Sequence, residues 1–210
     1  MRPPAPEVHC RKTEQGSPAE CPSSNRPAVP ANTPSKADDG LVARLRRVRL
    51  LLCDVDGVPT DGAVWTGADS ETKAFNIRDG MGLALLRRAG IKLGWISSRR
   101  SPATAQRAAE LGVEFLHQDE TPKVAAIEGI LARAGCGWDA VCYVGDDLVD
   151  LGAMRRAGLA VAVADAVTEV KASAYFTTLA PGGQGAVREL AERILRAQGQ
   201  WEKLVAEFDQ

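Results

Sequence analysis

Read for its apolar positions, the chain changes character near residue 40. Residues 1 to 38 are rich in Pro, Ser, Ala and charge and show no periodicity. Such a segment cannot bury enough surface to offset its ordering entropy, so a disordered extension is expected. From Leu41 to Arg47 a short helical lead-in is expected. Thereafter short apolar runs recur: Leu50 to Cys53 (with Val48 before it), Ile91 to Ile96, Val113 to Leu116, Ala140 to Val144, Leu159 to Val163 and Tyr175 to Thr178. Runs this short and this continuous are the mark of strands buried on both faces. Between them lie helix patterns. One runs through Met81–Gly90, with Leu83, Leu85 and Leu86 inward and Gly90 at a left-handed cap. Another opens at Pro102 and closes at Gly112. A third, Lys123 to Ala134, has Thr121 as N-cap, Pro122 in its first turn and Gly135 behind it. Further helices are expected over 148–157, before Tyr175, and from Ala186 to about Gln198. Strands alternating with glycine-terminated helices predict an α/β domain over 39–210, a doubly wound and mostly parallel sheet.

Two stretches depart from that alternation. Residues 63 to 77 place Val64 and Trp65 on one side of Gly67-Ala68-Asp69-Ser70 and Phe75 and Ile77 on the other, which predicts a β-hairpin. It follows an Asp-rich strand end, so it projects over that end or into a partner. The tail, 199 to 210, sets Trp201, Leu204, Val205 and Phe208 on one helical face. Trp65, Trp95, Trp138 and Trp201 are assigned to packing or to an interface.

Composition narrows the class. The 26 basic and 27 acidic residues give a net charge of -1, which argues against a nucleic-acid surface and a membrane-binding patch. The five cysteines form neither a disulfide framework nor a zinc spacing, so a reduced, cytoplasmic chain is expected. No apolar run reaches transmembrane length, and the N-terminus lacks a signal-peptide core. His9 and Cys10 alone do not make a metal site, and His117 reads as a strand-end residue without chemistry.

The candidate chemistry sits where the apolar runs stop. The first ends in Asp54-Val55-Asp56-Gly57, two carboxylates that are costly to desolvate without a cation. Taken alone, this is also how a strand enters an ordinary polar turn. The second run ends at Ser97-Ser98-Arg99, and the run to Val144 enters Gly145-Asp146-Asp147, with Asp150 one helical turn on. Carboxyl ends of parallel strands lie side by side, so these residues converge there, and Lys123 joins them from its helix start. A nucleophilic carboxylate, a second one for proton transfer, a hydroxyl and an ammonium for phosphate oxygens, and further carboxylates for Mg²⁺ are together the parts of phosphoryl transfer.

The segments DVDGVPTDG, ISSRRS, Lys123 and VGDDLVDL resemble the four motifs of the haloacid dehalogenase-like phosphohydrolases. FNIRDGMGL, GLAVAVADA and GGQGAVREL extend the likeness to the capless branch that acts on 3-deoxy-D-manno-octulosonate (KDO) 8-phosphate, from about Leu41 to Gln198. The resemblance implies a core without a cap domain, and an aspartyl-phosphate route with Asp54 as nucleophile and Asp56 as acid and base. It implies that Ser97 and Lys123 hold phosphate. Mg²⁺ falls to Asp54, Asp146 and the backbone carbonyl of Asp56, with Asp147 and Asp150 orienting its shell and Lys123. Arg78 and Ser98 are the implied substrate contacts, and a homotetramer is implied in which the hairpin roofs a neighbour's site. Arg100 and Arg107, seven apart, are expected to share a helix face near Ser97, either to grip a substrate carboxylate or as arginines of a solvated face.

Four positions depart from the family pattern. Pro59 replaces a leucine and removes a backbone donor, which is expected to reshape its turn. Ser98 replaces a glycine, Gln184 a basic residue of the glycine-rich turn, and Pro122 is unusual before the motif lysine. The implied substrate is a sugar acid phosphate, KDO 8-phosphate first. A nine-carbon nonulosonate phosphate and a non-catalytic tetramerisation module stand as the other readings.

Overall fold

The computed structural model describes residues 36–67 and 70–209. Helix α1 (Lys36–Arg47) leads into β1 (Leu50–Cys53), and a hairpin of β2 (Trp65–Thr66) and β3 (Glu71–Thr72) follows. Then come α2 (Ile77–Arg88), β4 (Lys92–Ser97), α3 (Pro102–Leu111), β5 (Phe115–Gln118) and α4 (Lys123–Ala134). The chain continues through β6 (Val141–Gly145), α5 (Leu151–Met154), β7 (Leu159–Ala162), α6 (Thr168–Ser173), β8 (Phe176–Thr177), α7 (Ala186–Ala197) and α8 (Trp201–Ala206).

The main sheet has the order β5-β4-β1-β6-β7-β8, and every pairing in it is parallel. Strands β1, β6 and β7 are buried throughout, as their unbroken apolar runs require. Helices α1, α2 and α7 pack together, with α3 against α2, while α4, α5 and α6 form a second group. Beyond β4 the chain has moved outward from β1 to β5, and it then returns to pair β6 on the other flank of β1. The loops after β1 and β6 therefore diverge, which opens a crevice at that switch point. Among the described residues no helix is long and apolar enough to cross a membrane.

Several boundaries move. The first helix begins at Lys36, inside the stretch expected to be disordered; residues 1–35 lie outside the described residues. The hairpin is shorter than 63–77, with its turn residues 68 and 69 outside the description. Ile77 opens α2 instead of closing a strand, because the Asn76 side chain accepts the Arg78 amide and caps the helix there. Phe75 is not an exposed hairpin residue; its ring stacks on Trp95 at 5.8 Å between centroids. Lys123 is the first residue of α4, with Pro122 in the cap position and no side-chain cap; Thr121 stands one residue earlier, its amide donating to Asp119 Oδ1 at 2.8 Å. The helix expected over 148–157 is a 3₁₀ turn, Leu148–Asp150, followed by the four-residue α5. In the tail Trp201 and Leu204 face inward, whereas Val205 and Phe208 are exposed.

Candidate active site

The site grows out of the end of β1. The register sets Cys53 beside Trp95 of β4 and Val144 of β6, and the Asp54 amide still donates to the Val144 carbonyl at 3.0 Å. Asp54 is thus held in the sheet before the chain turns away. At Gly57, with φ +95°, a Cβ would lie 2.1 Å from Asp146 Oδ2, so only glycine lets Asp146 close on this turn. The turn is secured by the buried Thr60, whose hydroxyl accepts from the Gly57 and Gly62 amides and donates to the Val55 carbonyl. The glycine-rich turn braces it from below: the Gly183 amide donates to Val58 at 2.8 Å, and a Cβ at Gly182 would stand 1.8 Å from the Gly57 carbonyl oxygen. None of these bonds calls on an amide at position 59, so the turn closes around Pro59 without the missing donor.

Lys123 is buried at the start of α4 and reaches two carboxylates at once, Asp54 Oδ1 and Asp150 Oδ1, each at 2.7 Å. Asp150, fully buried, also accepts Tyr143 Oη–H at 2.7 Å on Oδ1 and the amides of Asp146 (2.9 Å) and Asp147 (3.3 Å) on Oδ2. Its two oxygens are consumed by protein donors. Asp146 is different: its Oδ1 is buried with no hydrogen-bond partner among the described residues. Asp54, Asp146 and Asp150 each bring an oxygen within 4.8 Å of the others. Burial raises the Asp54 carboxyl to about 6, against the pull of Lys123 and with the push of Asp150. Burial, then Asp54 and Asp150, raise Asp146 to about 8. Burial opposes charge on Lys123, but Asp54 and Asp150 outweigh it and its pKa is raised. Carboxylates that resist ionising together, one of them with an orphaned oxygen, suit a hard divalent cation ligated by oxygen.

Asp56 faces a second set of charges. Lys73 Nζ lies 2.6 Å from its Oδ1, a charge contact rather than an aligned hydrogen bond, and Arg99 Nε lies 3.4 Å from Oδ2. Ser97, buried at the end of β4, exchanges hydrogen bonds with the Arg99 backbone through its hydroxyl. Ser98, Arg99 and Arg100 line a cavity of about 450 Å³ with Asp119 and Glu120. Arg78 is exposed on the first turn of α2. Asp147 is exposed, and its side chain caps the Leu148 amide in a reciprocal box with Asp150, so it fixes the turn that carries Asp150.

Arg107 is not brought there. Arg100 precedes α3, so the two arginines share no helix face, and Arg107 pairs with Glu110 at 3.0 Å and abuts Gly80. Lys73, Glu71, Tyr143 and Asp79 escaped the sequence reading. Residues 71, 73 and 75 point inward while Thr72 and Ala74 are exposed, so strand alternation was the available signal for Lys73. Asp79 accepts the Gly185 and Arg188 amides at 3.1 and 2.7 Å and so ties α2 to the start of α7.

Residues 96–190 match the family model of the haloacid dehalogenase-like hydrolases. The chain is 42% identical over 165 residues to the 3-deoxy-D-manno-octulosonate 8-phosphate phosphatase of Yersinia pestis, covering 78% of this chain and 88% of that one. It is 40% identical over 167 residues to the corresponding phosphatase of Escherichia coli K12, covering 79% and 88%. The crystal structure of the Moraxella catarrhalis phosphatase with magnesium ion, phosphate ion and KDO superposes with a TM-score of 0.79 at 36% identity, over 81% of this chain and 98% of that one. The chain belongs to the 3-deoxy-D-manno-octulosonate 8-phosphate phosphatase family of haloacid dehalogenase-like hydrolases.

Proposed function

We propose that this chain is a Mg²⁺-dependent phosphatase that hydrolyses KDO 8-phosphate through an aspartyl-phosphate on Asp54. The observation that carries this reading is the convergence at the β1/β6 switch point, where Asp54 meets Lys123 at 2.7 Å beside the orphaned Asp146 oxygen. The substrate is supported by relatives of 40 and 42% identity named for it. The metal is supported by the magnesium in the Moraxella complex.

In this reading Asp54, Asp146 and the backbone carbonyl of Asp56 hold the Mg²⁺. Bound there, the ion neutralises charge on the phosphoryl oxygens and lets Asp54 stay ionised beside Asp146. Lys123, fixed by Asp150, aims one Asp54 oxygen and offers its ammonium to phosphate, as does the Ser97 hydroxyl. An oxygen of Asp54 attacks phosphorus as the phosphorus–alkoxide bond breaks, and Asp56 gives its proton to the departing oxygen. Asp56, now a carboxylate, takes a proton from water as that water attacks the phosphoryl group, which frees phosphate and restores Asp54. Arg78, Ser98 and Arg100 are proposed to meet the sugar acid.

The test is phosphate release from a panel of sugar acid phosphates, with Mg²⁺ and with EDTA. KDO 8-phosphate is expected to be turned over best, and EDTA to stop release. Turnover that ignores EDTA, or none on KDO 8-phosphate, overturns the reading. A homotetramer is proposed as well, since Trp65, Ile77 and Leu179 are 72, 81 and 85% exposed on this single chain. Sedimentation at micromolar concentration tests it, and a monomer refutes it.

A further inference from the structure

Lys73 is a lysine whose side chain is wholly withdrawn from solvent. A buried ammonium is costly unless a charge partner sits beside it. Here the close partner is Asp56 Oδ1 at 2.6 Å, with Glu71 Oε1 farther off at 3.9 Å. The ammonium also donates to Thr104 Oγ at 3.3 Å, and Thr104 is itself fully buried in the first turn of α3. Lys73 is therefore anchored by a buried hydroxyl as well as by Asp56. The other cation near Asp56, Arg99, is about half exposed, and its guanidinium is shared with Glu71 Oε2 at 2.5 Å. Glu71 in turn accepts the Ser101 hydroxyl at 2.5 Å, which ties the hairpin to the N-cap of α3. Of the two cations, the buried one is the fixed reference for the Asp56 carboxylate.

We propose that Lys73, the residue just after the second strand of the hairpin, is the positioning residue for Asp56, so that the hairpin completes the acid–base machinery of its own chain. The proposal rests on the assignment of Asp56 as acid and base. Asp56 stands on a turn, and its side chain is a quarter exposed, so its direction must come from what it touches. An alkoxide leaving group needs the proton of a well-aimed Asp56; a nitrophenolate departs without one. A displacement of Asp56 must then weaken the first step for an alkyl phosphate far more than for an aryl phosphate. Both esters need Asp56 to activate water in the second step.

The experiment compares wild type, Lys73→Met, Lys73→Gln and Asp56→Asn on KDO 8-phosphate and on p-nitrophenyl phosphate, with thermal melts of each. For both Lys73 variants kcat/KM is expected to fall by about 10²-fold on the sugar phosphate and by less than about tenfold on the aryl ester. On the aryl ester kcat and KM should fall together, because the second step becomes limiting. A folded Lys73 variant that loses both esters equally in kcat/KM, or loses less than about tenfold on the sugar phosphate, makes Lys73 a structural residue and overturns the proposal. Asp56→Asn separates the two levels of inference. If it shows no ester dependence, the acid–base assignment fails; if it shows the dependence and Lys73→Met does not, only the role of Lys73 fails.

Discussion

Asp150 touches neither phosphorus nor sugar in the proposed mechanism, yet the structure makes it the hub on which Lys123 depends. Its carboxylate accepts four donors, two on each oxygen: Lys123 and Tyr143 on Oδ1, the amides of Asp146 and Asp147 on Oδ2. Asp150→Asn keeps the shape but has one accepting oxygen. Whichever way the amide turns, its NH₂ faces a pair of donors. A buried donor without an acceptor costs roughly 1–3 kcal/mol, so two such groups cost about 2–6 kcal/mol. Removing the charge also relieves its repulsion of Asp54 and Asp146, both of which it pushes upward. Allowing for that relief, a net loss of about 2–4 kcal/mol is expected, on the scale of damage to a buried network. For a chain of this size each kcal/mol moves Tm by roughly 2–4 °C, so Tm should drop by about 4–16 °C. Thermal melts in EDTA remove any contribution from metal. The same variant should lose activity beyond its stability loss, because Lys123 keeps only one charged partner, Asp54, to aim it. A Tm within about 2 °C of wild type would refute the account of Asp150 as a buried acceptor hub.

Three further outcomes follow from the same geometry. Asp54→Asn is expected to abolish phosphate release, since an amide cannot attack phosphorus, and to raise Tm in EDTA by removing a desolvated carboxylate; turnover within about tenfold of wild type, ~1.4 kcal/mol of barrier, counts against the covalent route. Asp54 and Asp146, raised to about 6 and about 8 from 3.8, hold protons in the folded chain that the unfolded chain has released. Metal-free stability should therefore fall as pH climbs from about 4 to 8, and Mg²⁺ should restore more of it at pH 8 than at pH 5, as melts at the two values would reveal. Gly182→Ala places a Cβ 1.8 Å from the Gly57 carbonyl oxygen and should cost about 1–3 kcal/mol by urea titration, with lower kcat from the displaced turn.

How much of this was legible in the sequence depended on whether a signal was local. The strands β1, β4 and β6 announce themselves as apolar runs, and parallel order then brings Asp54, Ser97 and Asp146 to one edge. Helix starts were legible to within a turn, but Asn76 took the cap role that moved the start of α2 to Ile77. Contacts that depend on which way a long side chain leans were not legible. Arg100 and Arg107 have helical spacing, but α3 begins after Arg100 behind its Ser101 cap, so the spacing has no face to act on. Lys73 reads as a solvated lysine of a surface hairpin, the usual state of that residue. Only the fold supplies Thr104 and Asp56 to hold it. Likewise PGGQG shows in the sequence only as a glycine-rich turn with Gln184 in place of a basic residue, whereas two of its glycines are required by close packing on residues 57–61.

The two carboxylates of Asp54 and Asp56 are separated by one residue, yet the structure sorts them into separate charge environments. Asp54 sits with Asp146 and Asp150 against the single ammonium of Lys123, which leaves an excess of two negative charges when all three carboxylates are ionised. That is the charge of one divalent ion, and without it the proton that Asp146 retains to about pH 8 cuts the excess from two to one. Asp56 sits with Glu71 against Lys73 and Arg99, a set already balanced. Two positions apart on a straight strand they would share a face, but the chain turns at Val55–Gly57, directly after Asp54, and Asp56 then meets Lys73 from the hairpin and Arg99 from the end of β4. A cation entering the first set gains two uncompensated charges, while at the second it would displace buried or paired partners for no net gain. The division of labour between Asp54, turned toward metal and phosphorus in the proposed mechanism, and Asp56, turned toward the leaving group, follows from where the fold places Lys123, Lys73 and Arg99.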